Sequence, residues 1–303
     1  MPQHRTDDGE GRQERPEGAI KGPLGIIAGR GPLPCVVAEA AQARGLPLHI
    51  VAIRGEASDA IERFPHTWIK WGEVGKLFGA LDNNGCRDLV IIGGVDRPDF
   101  ANVKFDFGAV KNLPFILSLG KGGDDHVLSR IVSFLESKGY RVHGAEDVAP
   151  DLLAGKGVLG QKAPSAEDRA DIEMAFRVVS ALGRLDIGQA AVVAKGHVLA
   201  VEAAEGTDAM LARCAELRRS GRVHQQGQTG VLVKAPKPGQ EDRVDLPTIG
   251  PETVRRAAAS GLAGIAVAAG RVLVAEPAAT VKAADELGLF LLGEPLAGKT
   301  SND

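Results

Sequence analysis

The stretch LGIIAGRGPLPCVVAEAAQARG, residues 24–45, decides the fold. Residues 24–28 form a short apolar run that ends in glycine, the signature of a buried strand. Pro34 then opens an alanine-rich segment closed by Gly45, and proline at the start with glycine past the end is the mark of a helix. A strand running straight into a helix predicts the first half of a βαβ unit.

The same alternation continues outward. LHIVAI (48–53) and DLVIIGGV (88–95) read as strands, with GEVGKLFGALDNNG (72–85) a helix between them. FILSLG (115–120) fits either a strand or a buried helix. DDHVLSRIVSFLESKG (124–139) is an amphipathic helix with an acidic first turn, and YRVHGAED (140–147) is a further strand. Strands alternating with helices imply a parallel sheet covered on both faces. Residues 22–150 are therefore expected to form a Rossmann-like α/β domain, preceded by a polar extension over 1–21 without packed structure.

After residue 150 the pattern changes. APDLLAGKGVLGQKAPS (149–165) is rich in Gly, Pro and Lys, so 151–164 reads as a linker or lid. Ser165 with Asp168 predicts a capping box for the next helix. QAAVVAKGHVLAVEA (189–203) predicts a hairpin around Lys195-Gly196, and GIAVAAGRVLVAE (264–276) a second one. Residues 165–303 are expected to form a smaller α+β domain.

Composition excludes several functions. The 303-residue chain carries a net charge of −3, unlike the strongly basic domains of general nucleic-acid binders. Aromatic residues make up 4%, too few for base-stacking platforms. Cys35, Cys86 and Cys214 are odd in number and far apart, which reads as core thiols. No stretch approaches the ~20 apolar residues of a membrane span, and the N-terminus lacks the apolar segment of a secretion signal.

Four places could carry chemistry. Gly29, Arg30 and Gly31 follow the first strand, and Gly93 and Gly94 the third; open α/β sheets bind ligands at such strand ends. The dinucleotide fingerprint fails, because no third glycine follows Gly31 and no acid ends the second strand. Asp124 and Asp125 sit at a helix start, where they serve the helix dipole or contact sugar hydroxyls. In AVEAAEGTDAML (200–211), Glu202, Glu205 and Asp208 crowd a strand-to-helix turn, with Gly206 for the turn and Thr207 as its cap. Such crowding asks for a lysine or a cation, and magnesium needs only one or two carboxylates.

The fourth place is VKAPKPGQEDRVDLPTIGPETV (233–254). Its four prolines and two glycines rule out one long helix, and irregular charged segments usually lie at the surface and carry function. Lys234 and Lys237 suit phosphate oxygens, while Asp245 suits a metal or a water and Thr248 the substrate. Hydrolysis of a diphosphate requires this combination, since charge must be neutralised as water arrives in line.

Three stretches, LGIIAGRGPLP, EGTDAML and above all VLVKAPKPGQEDRVDLPTIGPETV, resemble the UDP-2,3-diacylglucosamine pyrophosphatases found in many Gram-negative bacteria that lack the calcineurin-like version. The resemblance runs from residue 22 onward. It implies hydrolysis of UDP-2,3-diacylglucosamine to UMP and 2,3-diacylglucosamine 1-phosphate in lipid A assembly. It also implies dependence on magnesium, or manganese in its place, a substrate between two domains, and a cytoplasmic enzyme peripheral to the inner membrane. On this reading Asp245 and Asp208 hold the metal and Lys234 and Lys237 neutralise the diphosphate. A homodimer is compatible with the chain. A nucleotide-sugar transferase and a non-catalytic nucleotide or lipid sensor are the alternatives.

Overall fold

A computed structural model describes residues 20–96, 103–118, 124–223 and 227–296. The N-terminal half is built on five strands: β1 (Leu24–Ala28), β2 (Leu48–Ile53), β3 (His66–Ile69), β4 (Asp88–Ile92) and β5 (Arg141–His143). They lie in the order β3-β2-β1-β4-β5, and every pair is parallel. Chain direction across the sheet reverses between β1 and β4, the place where such sheets open a crevice at their strand C-termini.

The helices that cover this sheet are α1 (Leu33–Ala43), α2 (Val74–Asn83), α3 (Phe107–Lys111), α4 (Leu113–Ser118), α5 (Asp124–Ser137) and α6 (Ala145–Val148). Strand β2 shows why both faces need cover. Ile50 and Ala52 pack with Val37, Ala38 and Ala145 on one side. Val51 and Ile53 pack with Leu81, Val132 and Leu135 on the other. Side chains alternate across a strand, so an unbroken apolar run is what a doubly covered parallel sheet requires. The ambiguous 115–118 segment is helical, as part of α4. Ile20 is already buried in the core beside α1, ahead of the expected boundary at 22. Residues 1–19 lie outside the described residues.

The C-terminal half holds a six-stranded sheet and is not the smaller of the two. Its strands are β6 (Gly157–Val158), β7 (Ala190–Ala194), β8 (His197–Val201), β9 (Val231–Lys234), β11 (Gly264–Ala268) and β13 (Phe290–Glu294), in the order β6-β13-β11-β9-β7-β8. A separate parallel pair is formed by β10 (Thr248–Ile249) and β12 (Leu273–Val274). Helices α7 (Ala166–Gly183), α8 (Gly206–Arg219), α9 (Pro251–Ala259) and α10 (Pro277–Glu286) complete it.

The hairpin expected at 189–203 is present. Lys195 and Gly196 both take positive φ (51° and 73°), the combination of the tight turn that matches strand twist. Buried Asp171 on α7 accepts from both turn amides, at 2.8 and 2.7 Å. The hairpin expected at 264–276 is not present. Strand β11 is buried along its whole length and pairs in parallel with β9 and β13, while β12 leaves to join β10. The centre of the second sheet is therefore parallel β9-β11-β13, and the antiparallel pairs lie at its edges. The segment read as a linker contributes β6, an edge strand against β13. The Ser165–Asp168 capping box forms as expected.

The halves are packed against each other. Leu273 and Ala275 are buried in the N-terminal core, with Leu246 packed beside them. Arg243 reaches across to Glu136 on α5 at 2.6 Å. No helix among the described residues is long and apolar enough to cross a membrane.

Candidate active site

The cleft between the halves encloses a cavity of about 350 Å3. Its N-terminal wall is formed by Arg30 and Gly31 after β1, Gly93 and Gly94 after β4, and Glu146 in the first turn of α6. All sit at the C-terminal edge of the parallel sheet. Opposite stand Lys234 at the end of β9, Asp242, Asp245 and Thr248. Leu33, Ile92, Leu246, Leu273 and Ala275 supply apolar surface.

The glycines of the N-terminal wall are held by backbone packing. The Arg30 amide donates to the Gly94 carbonyl at 2.7 Å and the Gly29 amide to Ile92 at 2.9 Å. A Cβ on Gly29 would stand 2.5 Å from the Gly94 oxygen, and one on Gly93 would stand 2.7 Å from the Arg30 oxygen. Gly29 thus serves this close approach and does not itself line the cavity, while Gly31 does, at φ 92°. The Arg30 guanidinium pairs with Asp96 and also with Glu56 at 3.3 Å. The hydrogen bond to Asp96 holds its pKa above the usual arginine value.

Lys234 is buried at the cavity edge. Its ammonium donates to Thr207 Oγ1 at 2.9 Å and to the Thr248 carbonyl at 3.1 Å. A lysine has three donors, so one N–H remains for a ligand. Thr207 in turn donates to Glu202 Oε1 at 2.5 Å, and the other oxygen of that carboxylate accepts from the Gln189 amide at 3.2 Å. Burial pulls the Lys234 pKa below the ordinary lysine value, while Glu202, Asp208 and Asp245 hold it up. Thr207 is not the expected cap. Helix α8 begins one residue earlier, at Gly206 (φ 78°), which puts the Thr207 hydroxyl against Glu202 and Lys234 instead.

The proline-rich segment is not the exposed loop its composition suggests. Lys237, Gln240 and Glu241 are all buried. A buried loop must pair its own backbone groups. Here the Gln240 side chain accepts from the Lys237 amide at 2.8 Å and donates to the Asp245 carbonyl, so one amide spans the loop. Arg243 forks onto buried Glu241 at 2.8 and 2.9 Å while contacting Glu136, a pairing that raises its pKa strongly. This geometry presents Asp242 and Asp245 to the cavity.

Not every residue singled out from the sequence converges here. Lys237 is turned to Asp186, 2.6 Å away, and does not line the cavity. Asp208 stands on the exposed face of α8, 3.4 Å from Arg256, and Glu205 pairs with Arg213 at 2.9 Å. The expected Asp208–Asp245 pair is thus not brought into one cavity, because the first turn of α8 aims Asp208 outward; its charge still favours the Lys234 ammonium. Asp124 and Asp125 open α5, but their side chains lie outside the described residues.

Several polar cavity residues were given no role in the sequence reading, among them Asp242, Glu146 and Gln189. Glu146 lies three residues past the end of β5, and the Glu146-Asp147 pair just beyond a strand C-terminus was the available signal. Gln189 precedes β7 and carries no such signal. Asp242 Oδ1 and Gln189 Oε1 are buried acceptors without a hydrogen-bond partner, and both residues face the cavity. Buried acceptors require a donor or a cation. No cluster of three metal-binding side chains exists among the described residues. The donors present still suit magnesium, which binds through one or two carboxylates plus phosphate oxygens and keeps several waters.

Family models match both halves: the LpxI N-terminal domain over residues 23–152 and the LpxI C-terminal domain over residues 155–292. The chain belongs to the LpxI family. A curated relative, UDP-2,3-diacylglucosamine pyrophosphatase LpxI from Caulobacter vibrioides, is 46% identical over 270 residues, which covers 89% of this chain and 96% of the relative. The two LpxI matches divide the chain between residues 152 and 155, at the point where it crosses from the first sheet to the second. The cavity draws its walls from both LpxI domains.

Proposed function

We propose that the protein hydrolyses the diphosphate bond of UDP-2,3-diacylglucosamine to UMP and 2,3-diacylglucosamine 1-phosphate, the step of lipid A assembly named for its Caulobacter relative. The single observation that carries the reading is the interdomain cavity in which buried Lys234 stands with Asp242 and Asp245 opposite the glycine turns of the parallel sheet. An anionic diphosphate in that space meets the remaining Lys234 donor on one side and the Arg30–Gly31 and Gly93–Gly94 turns on the other.

Asp245 accepts the proton of a water molecule as that water's oxygen bonds to phosphorus. The bridging P–O bond breaks and the departing phosphate keeps the electron pair. Lys234 donates to a phosphate oxygen whose charge grows during this step. Asp245 and Asp242 would hold magnesium, or manganese in its place, which would supply charge neutralisation for the diphosphate when bound. The apolar wall around Leu246 and Leu273 takes the less polar parts of the substrate. The protein would work as a peripheral protein at the cytoplasmic membrane face.

Incubation with UDP-2,3-diacylglucosamine and magnesium, with nucleotide products separated by chromatography, tests the reading. UMP and lipid monophosphate in equal amounts are expected. Release of UDP would point to a transferase, and binding without turnover to a sensor; either result overturns the proposal.

A further inference from the structure

The turn that follows α7 carries a local contradiction. The Ile187 amide donates to the Leu182 carbonyl at 3.2 Å and the Asp186 amide to the Gly183 carbonyl at 3.1 Å. These two bonds close a helix end whose left-handed residue is usually glycine. Here that residue is Asp186, at φ 54°. An aspartate is doubly unfavourable in this place. Its Cβ crowds the backbone, and its charge meets the negative end of the helix dipole. A residue held against local preference marks a place where another demand is served.

The demand is visible in the side chain. The Asp186 carboxylate accepts from the Lys237 ammonium at 2.6 Å, and Lys237 is buried. The Lys237 amide donates to Gln240 Oε1 at 2.8 Å, and the amide nitrogen of that side chain donates to the Asp245 carbonyl. The Asp245 amide donates to the Glu241 carbonyl at 3.2 Å. Both backbone groups of Asp245 are thus held within the loop, and an ion pair ties the loop to the turn. A Cβ on Gly183 would stand 2.8 Å from Pro238 Cδ and 3.2 Å from Lys237 Cα, so turn and loop lie flush.

The same turn meets the other charge of the cleft. Three residues beyond Asp186, the Gln189 amide donates to the Glu202 carboxylate at 3.2 Å, and the Gln189 carbonyl accepts from the Ala235 amide at 3.0 Å, next to Lys234. Glu202 accepts from Thr207, and Thr207 accepts from Lys234. One turn therefore stands behind both the carboxylate and the cation that face the cavity, while Asp186 itself does not line it.

We propose that Asp186 is a positioning residue: by seating Lys237 it sets, through Gln240, where Asp245 stands in the cleft. Its effect on rate rests on the function proposed above; its effect on the loop does not. Removing one member of the pair would strand a buried charge and confuse rate with stability. The test therefore uses the full chain carrying Asp186→Gly with Lys237→Met. This removes both charges, keeps an unbranched stem against the loop and gives the left-handed position the residue that suits it. The melting temperature is expected to stay at or above that of the wild type. On UDP-2,3-diacylglucosamine with magnesium, kcat falls roughly tenfold to a hundredfold, the cost of slightly misplacing a reacting group. KM changes by less than about threefold, since ground-state binding is untouched. Without substrate, amide hydrogen exchange over residues 235–247 quickens, and exchange in the first sheet does not. Asp186→Asn, whose side-chain oxygen still accepts from Lys237, is the second variant and loses less rate.

Wild-type kcat in the double variant overturns the proposal. So does a raised KM at unchanged kcat, because Lys237 then binds the diphosphate itself. A lowered melting temperature with exchange quickened throughout the chain overturns it as well, for the pair is then general packing. Unchanged exchange over 235–247 has the same force. An inactive wild-type enzyme overturns the enzymatic reading alone, and the exchange measurement still decides whether Asp186 holds the loop.

Discussion

The Lys234 ammonium and the Thr207 hydroxyl are 2.9 Å apart, and Thr207 passes its own proton toward Glu202 at 2.5 Å. This chain fixes a buried cation at the wall of the cleft. Lys234 serves the proposed reaction only while protonated. Because burial lowers its pKa, activity falls as pH rises through a value below the ordinary lysine 10.5. Glu202→Gln removes one of the charges that hold this pKa up, so the alkaline limb of the kcat profile moves to lower pH. Lys234→Met lowers kcat by about two orders of magnitude or more with the far-ultraviolet circular dichroism unchanged. An unmoved alkaline limb in Glu202→Gln would separate this relay from the reaction.

Asp245 faces the cavity and Asp208 faces solvent. Asp245→Asn is expected to cut kcat by about 10²–10³-fold. Asp242→Asn raises the magnesium concentration needed for half-maximal activity, because its oxygen Oδ1 loses its charge. Asp208→Asn changes kcat by less than roughly fivefold, since its charge is largely solvent-screened. Steady-state assays over a magnesium series measure all three. A loss in Asp208→Asn equal to that in Asp245→Asn would return Asp208 to the centre.

Arg243 joins a buried carboxylate of its own loop to the other half of the molecule. Arg243→Ala leaves buried Glu241 without its guanidinium, a kind of loss that costs roughly 3–5 kcal/mol. Denaturant titration should show that drop, with raised KM, because the same loop presents Asp242 and Asp245. Arg243→Lys rescues only in part, as one ammonium cannot reproduce the fork.

Asp88 is buried at the start of β4, hydrogen-bonded by Arg141 at 2.7 and 2.8 Å and by His143 at 2.8 Å. Burial opposes its ionisation, but the two partners more than offset that and its pKa lies below the ordinary aspartate value. A depressed carboxylate pKa stabilises the fold above the unfolded-state value, and that stability is lost as pH falls through the folded value. Asp88→Asn should therefore be less stable than the wild type at neutral pH, with the gap closing below about pH 4 in thermal melts. A gap independent of pH would assign the loss to packing.

Much of the fold is legible in the sequence because buried parallel strands are simple to write. The runs at 24–28, 48–53 and 88–92 are apolar throughout, and glycines mark where they end. The turn at Lys195-Gly196 is equally local, since two positive φ values suffice to define it. Strand β11 shows the limit. GIAVA followed by GRVLV is as good a hairpin by pattern as it is two strands in different sheets. Which partner it takes depends on where α9 and α10 return the chain.

The site divides along the same line. Residue type in the stretch at 233–254 determined by itself that lysines and carboxylates stand close together in the chain, the two signs that diphosphate chemistry demands. Direction was settled only in three dimensions. A carboxylate three residues along a helix or a loop faces the cleft or the solvent according to which face packs, so Asp242 enters where Asp208 turns away and Lys237 is spent on Asp186. Local sequence encodes chemistry and backbone preference; which side chains share a cavity is set by long-range packing between halves distant in the chain.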